Sequence, residues 1–292
     1  MRRQKAAWLG IRTFETIARF LPHSAAVRLG SWLGVLAWLF SWKRVDAAER
    51  RCVRVLGVGV TEARRIVRES YRNHGRCAAE ILRLPILEGA LDNLFSVLGE
   101  ENLRKAFEKG KGVILLSAHL GNWELAAAKI ARMGFPVEAI GAEQRDPRIT
   151  ELLFSLRASG GVGTIRKGLE LKGALRCLQA GKILAVLLDQ DAKHKGVVVP
   201  FLGRPASTPY GPVKMCWKLG APIVPVFPIR KNDGIHFDLV FLPALDLPPE
   251  EGGEGSLVNA VSLCNEVLGE WIARFPEQWM WLYPRWASTV GD

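Results

Sequence analysis

No HExxH, P-loop or GxSxG motif occurs anywhere in the 292 residues. A metalloprotease, an ordinary NTPase and a serine-elbow hydrolase therefore lack their usual signatures. The cysteines are few and scattered: Cys52, Cys77, Cys177, Cys216 and Cys264 show no paired spacing. That pattern suits free thiols in a reducing compartment and argues against a zinc site. A full membrane-spanning run is also missing. The longest uncharged stretch, residues 29–42, has 14 residues, short of the roughly 20 a bilayer requires. No small-residue cleavage site follows it cleanly, so it does not read as a signal peptide. There is no internal repeat. Acidic charge is short as well: 29 Asp and Glu stand against 40 Lys and Arg, a net charge of +11. Anionic lipid, nucleic acid and acidic proteins are the partners such a balance attracts. No recognised nucleic-acid motif accompanies the charge, which disfavours that class.

What is present is apolar and rich in Trp. Hydrophobic residues make up 49% of the chain, enough for a sizeable core, and ten are Trp, a residue favoured at membrane interfaces. Residues 5–20, with Trp8, Ile11, Phe14, Ile17 and Ala18, form an amphipathic helix pattern. Together with 29–42 they suggest a membrane-associated segment over 1–45, lying in the bilayer surface or dipping into it. The alternative is a buried core helix. Residues 46–84 are helical and basic, with Arg50, Arg51, Arg54, Arg64, Arg65, Arg68, Arg72, Arg76 and Arg83. They read either as a solvated face or as a surface for phosphates or an acidic carrier.

From about residue 97 the pattern alternates. Strands are predicted at 113–117, 137–140, 162–165, 183–188, 223–229 and 236–242. Helices are predicted at 99–109, 123–133, 148–158, 168–180, 209–219 and 257–274, with a flexible loop at 248–256. This order gives an α/β fold with a mixed, mostly parallel sheet flanked by helices. It assigns 46–292 to one domain, in which 46–96 form a basic helical lead-in.

Residues 112–124, Gly-Val-Ile-Leu-Leu-Ser-Ala-His-Leu-Gly-Asn-Trp-Glu, read as a buried strand, a tight turn and the start of a helix. Gly121 permits the turn, Asn122 is a good N-cap, and Glu124 falls in the first helical turn. Five residues along one continuous helix rotate by about 500°, so His119 and Glu124 meet only if the turn folds His119 back. They would then form a base with its orienting acid, the arrangement that activates a hydroxyl. The other four histidines have no acid at this spacing. A position at the end of an apolar strand favours a site, because open α/β sheets bind ligands beyond the carboxyl ends of their strands.

Three further stretches are candidates. Gln144-Arg145-Asp146-Pro147 puts an Arg fork where a phosphate or carboxylate can be held. Asp189-Gln190-Asp191 ends another apolar strand, with two acids that suit a metal or the positioning of a loop. Thr208-Pro209 reads as an N-cap and first-turn proline, opening a helix whose N-terminus suits an anion.

These blocks, with Val199-Pro200-Phe201-Leu202-Gly203, Ala206-Ser207-Thr208-Pro209, Gly220-Ala221-Pro222-Ile223-Val224-Pro225-Val226-Phe227 and Pro276-Glu277-Gln278-Trp279-Met280-Trp281, resemble the bacterial lipid A biosynthesis (lauroyl/myristoyl) acyltransferases. Those belong to the wider glycerolipid and lysophospholipid acyltransferase superfamily. The likeness covers most of the chain, and the blocks stand in family order. It implies a membrane-associated enzyme on the cytoplasmic face of the inner membrane, without a cofactor or metal. The enzyme would move a fatty acyl group from an acyl thioester, of acyl carrier protein ahead of coenzyme A, to a hydroxyl of a lipid A precursor. It implies His119 as general base paired with Glu124, and substrate contacts from Asn122, Arg145, Asp189, Gly203, Ser207 and Thr208. Tyr283-Pro284 departs from the pattern, which has a basic or His residue before Arg285-Trp286. Backbone N–H groups near Gly121 are the expected oxyanion donors. Other acceptors, a lysophospholipid or a phosphatidylinositol mannoside, fit the same fold. A non-catalytic protein that grips anionic membranes fits the charge alone.

Overall fold

The computed structural model describes residues 2–87, 89–141, 143–166 and 170–291, and only the backbone of residues 2 and 3. The first two positions of the predicted helix 168–180 lie outside the described residues. Four helices lead the chain: α1 (Arg2–Phe20), α2 (His23–Phe40), α3 (Trp42–Leu56) and α4 (Val60–Leu82). The alternating part follows as β1 (Phe95–Leu98), α5 (Glu100–Phe107), β2 (Val113–Ser117), α6 (Trp123–Arg132), β3 (Val137–Ile140), α7 (Pro147–Ser159), β4 (Gly163–Ile165), α8 (Glu170–Gln179) and β5 (Ile183–Leu187). The chain then forms β6 (Val197–Phe201), β7 (Arg204–Thr208), α9 (Gly211–Leu219), β8 (Ile223–Arg230), β9 (Phe237–Phe241) and α10 (Gly253–Arg274).

Seven strands make one sheet in the order β1-β9-β8-β2-β5-β3-β4. All neighbours are parallel except β8 and β9, so the sheet is mostly parallel, as expected. The central strand β2 is buried at every position. Ile114 and Leu116 pack into one core cluster, and Val113 and Leu115 into the other. That is the two-per-repeat alternation of a strand covered on both faces. From β2 the chain crosses to β3, and from β5 it crosses the opposite way to β8. Neighbouring strands whose connections diverge leave a crevice at their carboxyl ends. His119 and Asp189 leave the carboxyl ends of these two strands.

Two parts differ from expectation. The stretch 196–209 is not a loop into a helix. It is a separate two-stranded ribbon, β6 paired antiparallel with β7. Its turn, Leu202-Gly203, has φ of 49° and 74°, positive at both central residues as a tight hairpin of this twist requires. Thr208 is the last residue of β7, and α9 starts at Gly211 with Pro212 in its first turn. Residues 253–256, read as part of a loop, form the first turn of α10.

The N-terminal helices pack on α4. Gly30 and Gly34 of α2 meet α4 backbone to backbone at Gly75 and Tyr71. A Cβ on Gly30 would sit 2.3 Å from the Gly75 oxygen, and one on Gly34 would sit 2.2 Å from the Tyr71 oxygen. Among the described residues no single helix is long and apolar enough to cross a membrane, and α2 and α3 meet at a 94° bend. The basic helices behave mainly as a solvated and structural face. Arg50 pairs with Asp46, Arg65 with Glu62, and Arg68 and Arg72 with Glu69. Arg51 is buried and donates to the Trp281 carbonyl.

Candidate active site

His119 leaves β2 two residues past its end, and Asp189 leaves the adjacent β5 two residues past its end. The two parallel strands thus deliver an imidazole and a carboxylate to the same edge of the sheet. His119 Nδ1 lies 2.8 Å from Asp189 Oδ1, and the His119 backbone N–H donates to Oδ2 at 2.8 Å. The Trp279 indole N–H donates to that same oxygen at 2.8 Å. Asp189 is 2% exposed. Burial pushes its carboxyl pKa up, but the His119 imidazole and the donated hydrogen bonds outweigh this and hold it below the usual value. An ionised carboxylate at Nδ1 makes that nitrogen the donor, so Nε2 carries the lone pair. The His119 side chain is 14% exposed, and the Trp123 ring packs edge-on against it at 4.7 Å.

Glu124 does not hold the imidazole. Its carboxylate is bound bidentately by Arg157 of α7, at 2.5 and 2.8 Å. The local spacing suggested an orienter five residues away, whereas the acid on Nδ1 is Asp189, seventy residues on. The reason is geometric. As the first turn of α6, Glu124 faces α7, whose Arg157 fork saturates both oxygens.

The turn between His119 and α6 is built as read. Gly121 has φ 61°, and a Cβ there would fall 1.6 Å from the Pro228 oxygen, so only glycine fits. Asn122 caps α6, its side-chain oxygen accepting from the Leu125 N–H at 3.2 Å. Asn122 is fully buried, and its amide donates to Glu80 at 2.7 Å. It therefore holds the turn and is not open to a substrate. Glu80 in turn takes a bidentate pair from Arg230, at 2.6 and 2.7 Å, both residues being nearly solvent-free. Asn73 and Cys77 of α4 donate to the Gly121 carbonyl, and Gln278 bridges to the Arg230 backbone. Helix α4, strand β8 and the C-terminal segment thus clamp the loop.

The remaining candidates separate. Ser207 and Thr208 are buried. Ser207 donates to the Lys193 carbonyl at 2.5 Å, and Thr208 accepts from Asn265 and Arg285 at 2.9 and 2.6 Å. These bonds fasten the ribbon to the core and leave neither hydroxyl for a ligand. Gly203 is at the exposed ribbon tip. Asp191 positions a loop, accepting from the Lys193 N–H and from Ser288. Arg145 is exposed in the β3–α7 loop beside Asp146, which caps α7. The expected oxyanion donors are spent. The N–H groups of His119, Leu120 and Gly121 bond Asp189, Ala118 and Gln278.

Trp279, Arg157, Glu80 and Arg230 were not singled out from the sequence as site residues. Only Trp279 carried a signal, as part of the Pro276–Trp281 block. A further histidine, His74, lies behind Trp123 with ring centres 6.2 Å apart. Burial lowers its pKa to about 4, so it is neutral at pH 7, and its Nδ1–H donates to the Ser70 carbonyl.

Comparison with known proteins bears on what this site does. The sequence matches the family described as bacterial lipid A biosynthesis acyltransferase over residues 1–288. It is 27% identical over 288 residues to the lipid A biosynthesis lauroyltransferase of Escherichia coli K12, covering 96% of this chain and 91% of that protein. It is 23% identical over 277 residues to the lipid A biosynthesis palmitoleoyltransferase of the same organism, covering 93% and 88%. It is 24% identical over 234 residues to a phosphatidylinositol mannoside acyltransferase of Mycolicibacterium smegmatis, covering 78% and 74%. A site built around an imidazole and a carboxylate, in a chain matched from end to end, places the protein among the acyltransferases: it belongs to the bacterial lipid A biosynthesis acyltransferase family.

Proposed function

We propose that the protein transfers a fatty acyl group from a carrier-bound thioester to a hydroxyl of a lipid A precursor. It would do so at the cytoplasmic face of the inner membrane, with His119 as general base. The observation that carries the reading is the bond between His119 Nδ1 and buried Asp189, which leaves Nε2 for the acceptor. Nε2 takes the hydroxyl proton as the oxygen attacks the thioester carbonyl. The tetrahedral intermediate collapses, the carbon–sulfur bond breaks, and the imidazolium returns the proton to the leaving thiolate. No acyl-enzyme is needed. Asp189 favours the imidazolium that forms in between. The developing oxyanion falls to the N–H groups that the start of α6 leaves without helical partners, at the positive end of its dipole. Exposed Arg145 is a candidate for the acceptor's phosphate.

Replacing His119 by Ala should lower transfer from a labelled carrier thioester by about 10²- to 10⁴-fold, with unchanged circular dichroism. Near-normal transfer by a folded variant would end the proposal. A second acceptor is favoured by a specific observation: a similar protein of Mycolicibacterium smegmatis is named for phosphatidylinositol mannoside. Mass analysis of products from a panel holding both glycolipids decides between them.

A further inference from the structure

A cleft of about 470 Å³, with neither His119 nor Asp189 in its lining, lies between α8, the edge strand β4 and its neighbour β3. Arg166, Lys172, Arg176 and Lys182 line it, with Glu138 as its one acid. Glu138 is neutralised by Lys182 at 2.7 Å, and Arg166 is paired with Glu151 at 3.1 Å. Among the described residues no acid lies within ion-pair distance of Lys172 or Arg176, both exposed on α8. Gly173 lets α8 close down on the strand, since a Cβ there would meet the Ile165 side chain at 2.4 Å. The wall thus keeps two uncompensated positive charges, those of Lys172 and Arg176.

The place of this cleft relative to the chemistry follows from the sheet. Ile165 is in register with Ile140 of β3, and β3 is followed by β5 and then β2. Three strand spacings separate β4 from β2, about 14 Å at the usual distance between strands. The carboxyl end of β4, where Arg166 stands, opens at the same end of the sheet as His119 and Asp189. We propose that this cleft docks the acidic carrier protein that brings the acyl thioester. A carrier whose acyl group rides on a long flexible arm must bind beside the reacting atoms at roughly arm's length. Lys172 and Arg176, on the first turns of the helix that follows β4, supply the charge complementarity, and their place beside Arg166 supplies the distance. The inference rests on the carrier-thioester donor proposed above.

The test compares one acyl group presented on acyl carrier protein, on pantetheine and on coenzyme A, using the full-length protein. The Lys172→Glu/Arg176→Glu variant should raise KM at least tenfold for the carrier-borne donor and remove its salt dependence. KM for the pantetheine donor and kcat for both should stay as in the parent. The neutral Lys172→Gln/Arg176→Gln variant should give an intermediate rise, and thermal unfolding confirms that both variants fold. A carrier KM equal to the parent's, or an equal loss with pantetheine, overturns the docking surface while leaving the donor assignment standing. A parent enzyme that accepts coenzyme A thioesters but not the carrier overturns both.

Discussion

In the proposed mechanism Asp189 supports the base, and that role follows from its bonds. It accepts the His119 backbone N–H, the imidazole N–H and the Trp279 indole N–H, so position, tautomer and charge of the base all depend on one carboxylate. Glu124 is committed to Arg157. The two acids should therefore respond differently to loss of charge. Asp189→Asn is expected to lower kcat by about 10²- to 10⁴-fold with little change in KM, because the imidazolium loses its stabilising charge and its tautomer is no longer imposed. Glu124→Gln should cost far less in kcat and show its effect chiefly in thermal stability. Steady-state kinetics on the pair checks this. An Asp189→Asn variant as active as the parent would assign the imidazole's support elsewhere.

At the scale of elements, the legible parts were those whose information is local. The apolar run before Ser117, the Gly121 turn and the Asn122 cap were all readable, because each is a property of adjacent residues. The ribbon was not, because Pro200 and Pro205 sit opposite each other within it and prolines argue against strands. They are tolerated here as an opposing pair that exchanges no ladder bonds. The His119–Asp189 bond was not readable either: it depends on β2 and β5 being neighbours, a fact of topology and not of spacing. The clamp from α4 shares this character. Glu80, Arg230 and Asn122 come from three separate regions and meet without solvent. Removing one partner of a buried ion pair leaves a charge with no compensation, so Glu80→Ala should cost about 3–5 kcal/mol of stability. It should also depress kcat through the loosened turn. Denaturant unfolding measures the first effect, and a loss below about 1 kcal/mol would show that the clamp is dispensable.

For the whole molecule, the question is how the proposed site reaches a lipid acceptor, and α2 has the composition to answer it. Its small-residue side, Ala26, Gly30 and Gly34, is pressed against α4. Its large apolar side chains point outward: Trp32 is 69% exposed and Phe40 83%, with Leu33, Leu36 and Leu39 also exposed and Trp42 just beyond. A helix buried by one face that still presents such a second face to solvent calls for an apolar medium. The flanking Lys43 is exposed too, which favours an anionic surface. Burying a large apolar side chain contributes about 1.5–3 kcal/mol. Replacing Trp32, Leu36 and Phe40 with Ser should thus weaken binding to anionic vesicles by about a thousandfold or more. Because these side chains hold nothing inside the protein, thermal stability should be preserved. Turnover of a detergent-dispersed acceptor should be preserved as well, while turnover of the same acceptor embedded in vesicles falls with binding. Vesicle sedimentation paired with the two assays checks this, and a triple variant that still binds vesicles like the parent would move the membrane contact to another face of the molecule.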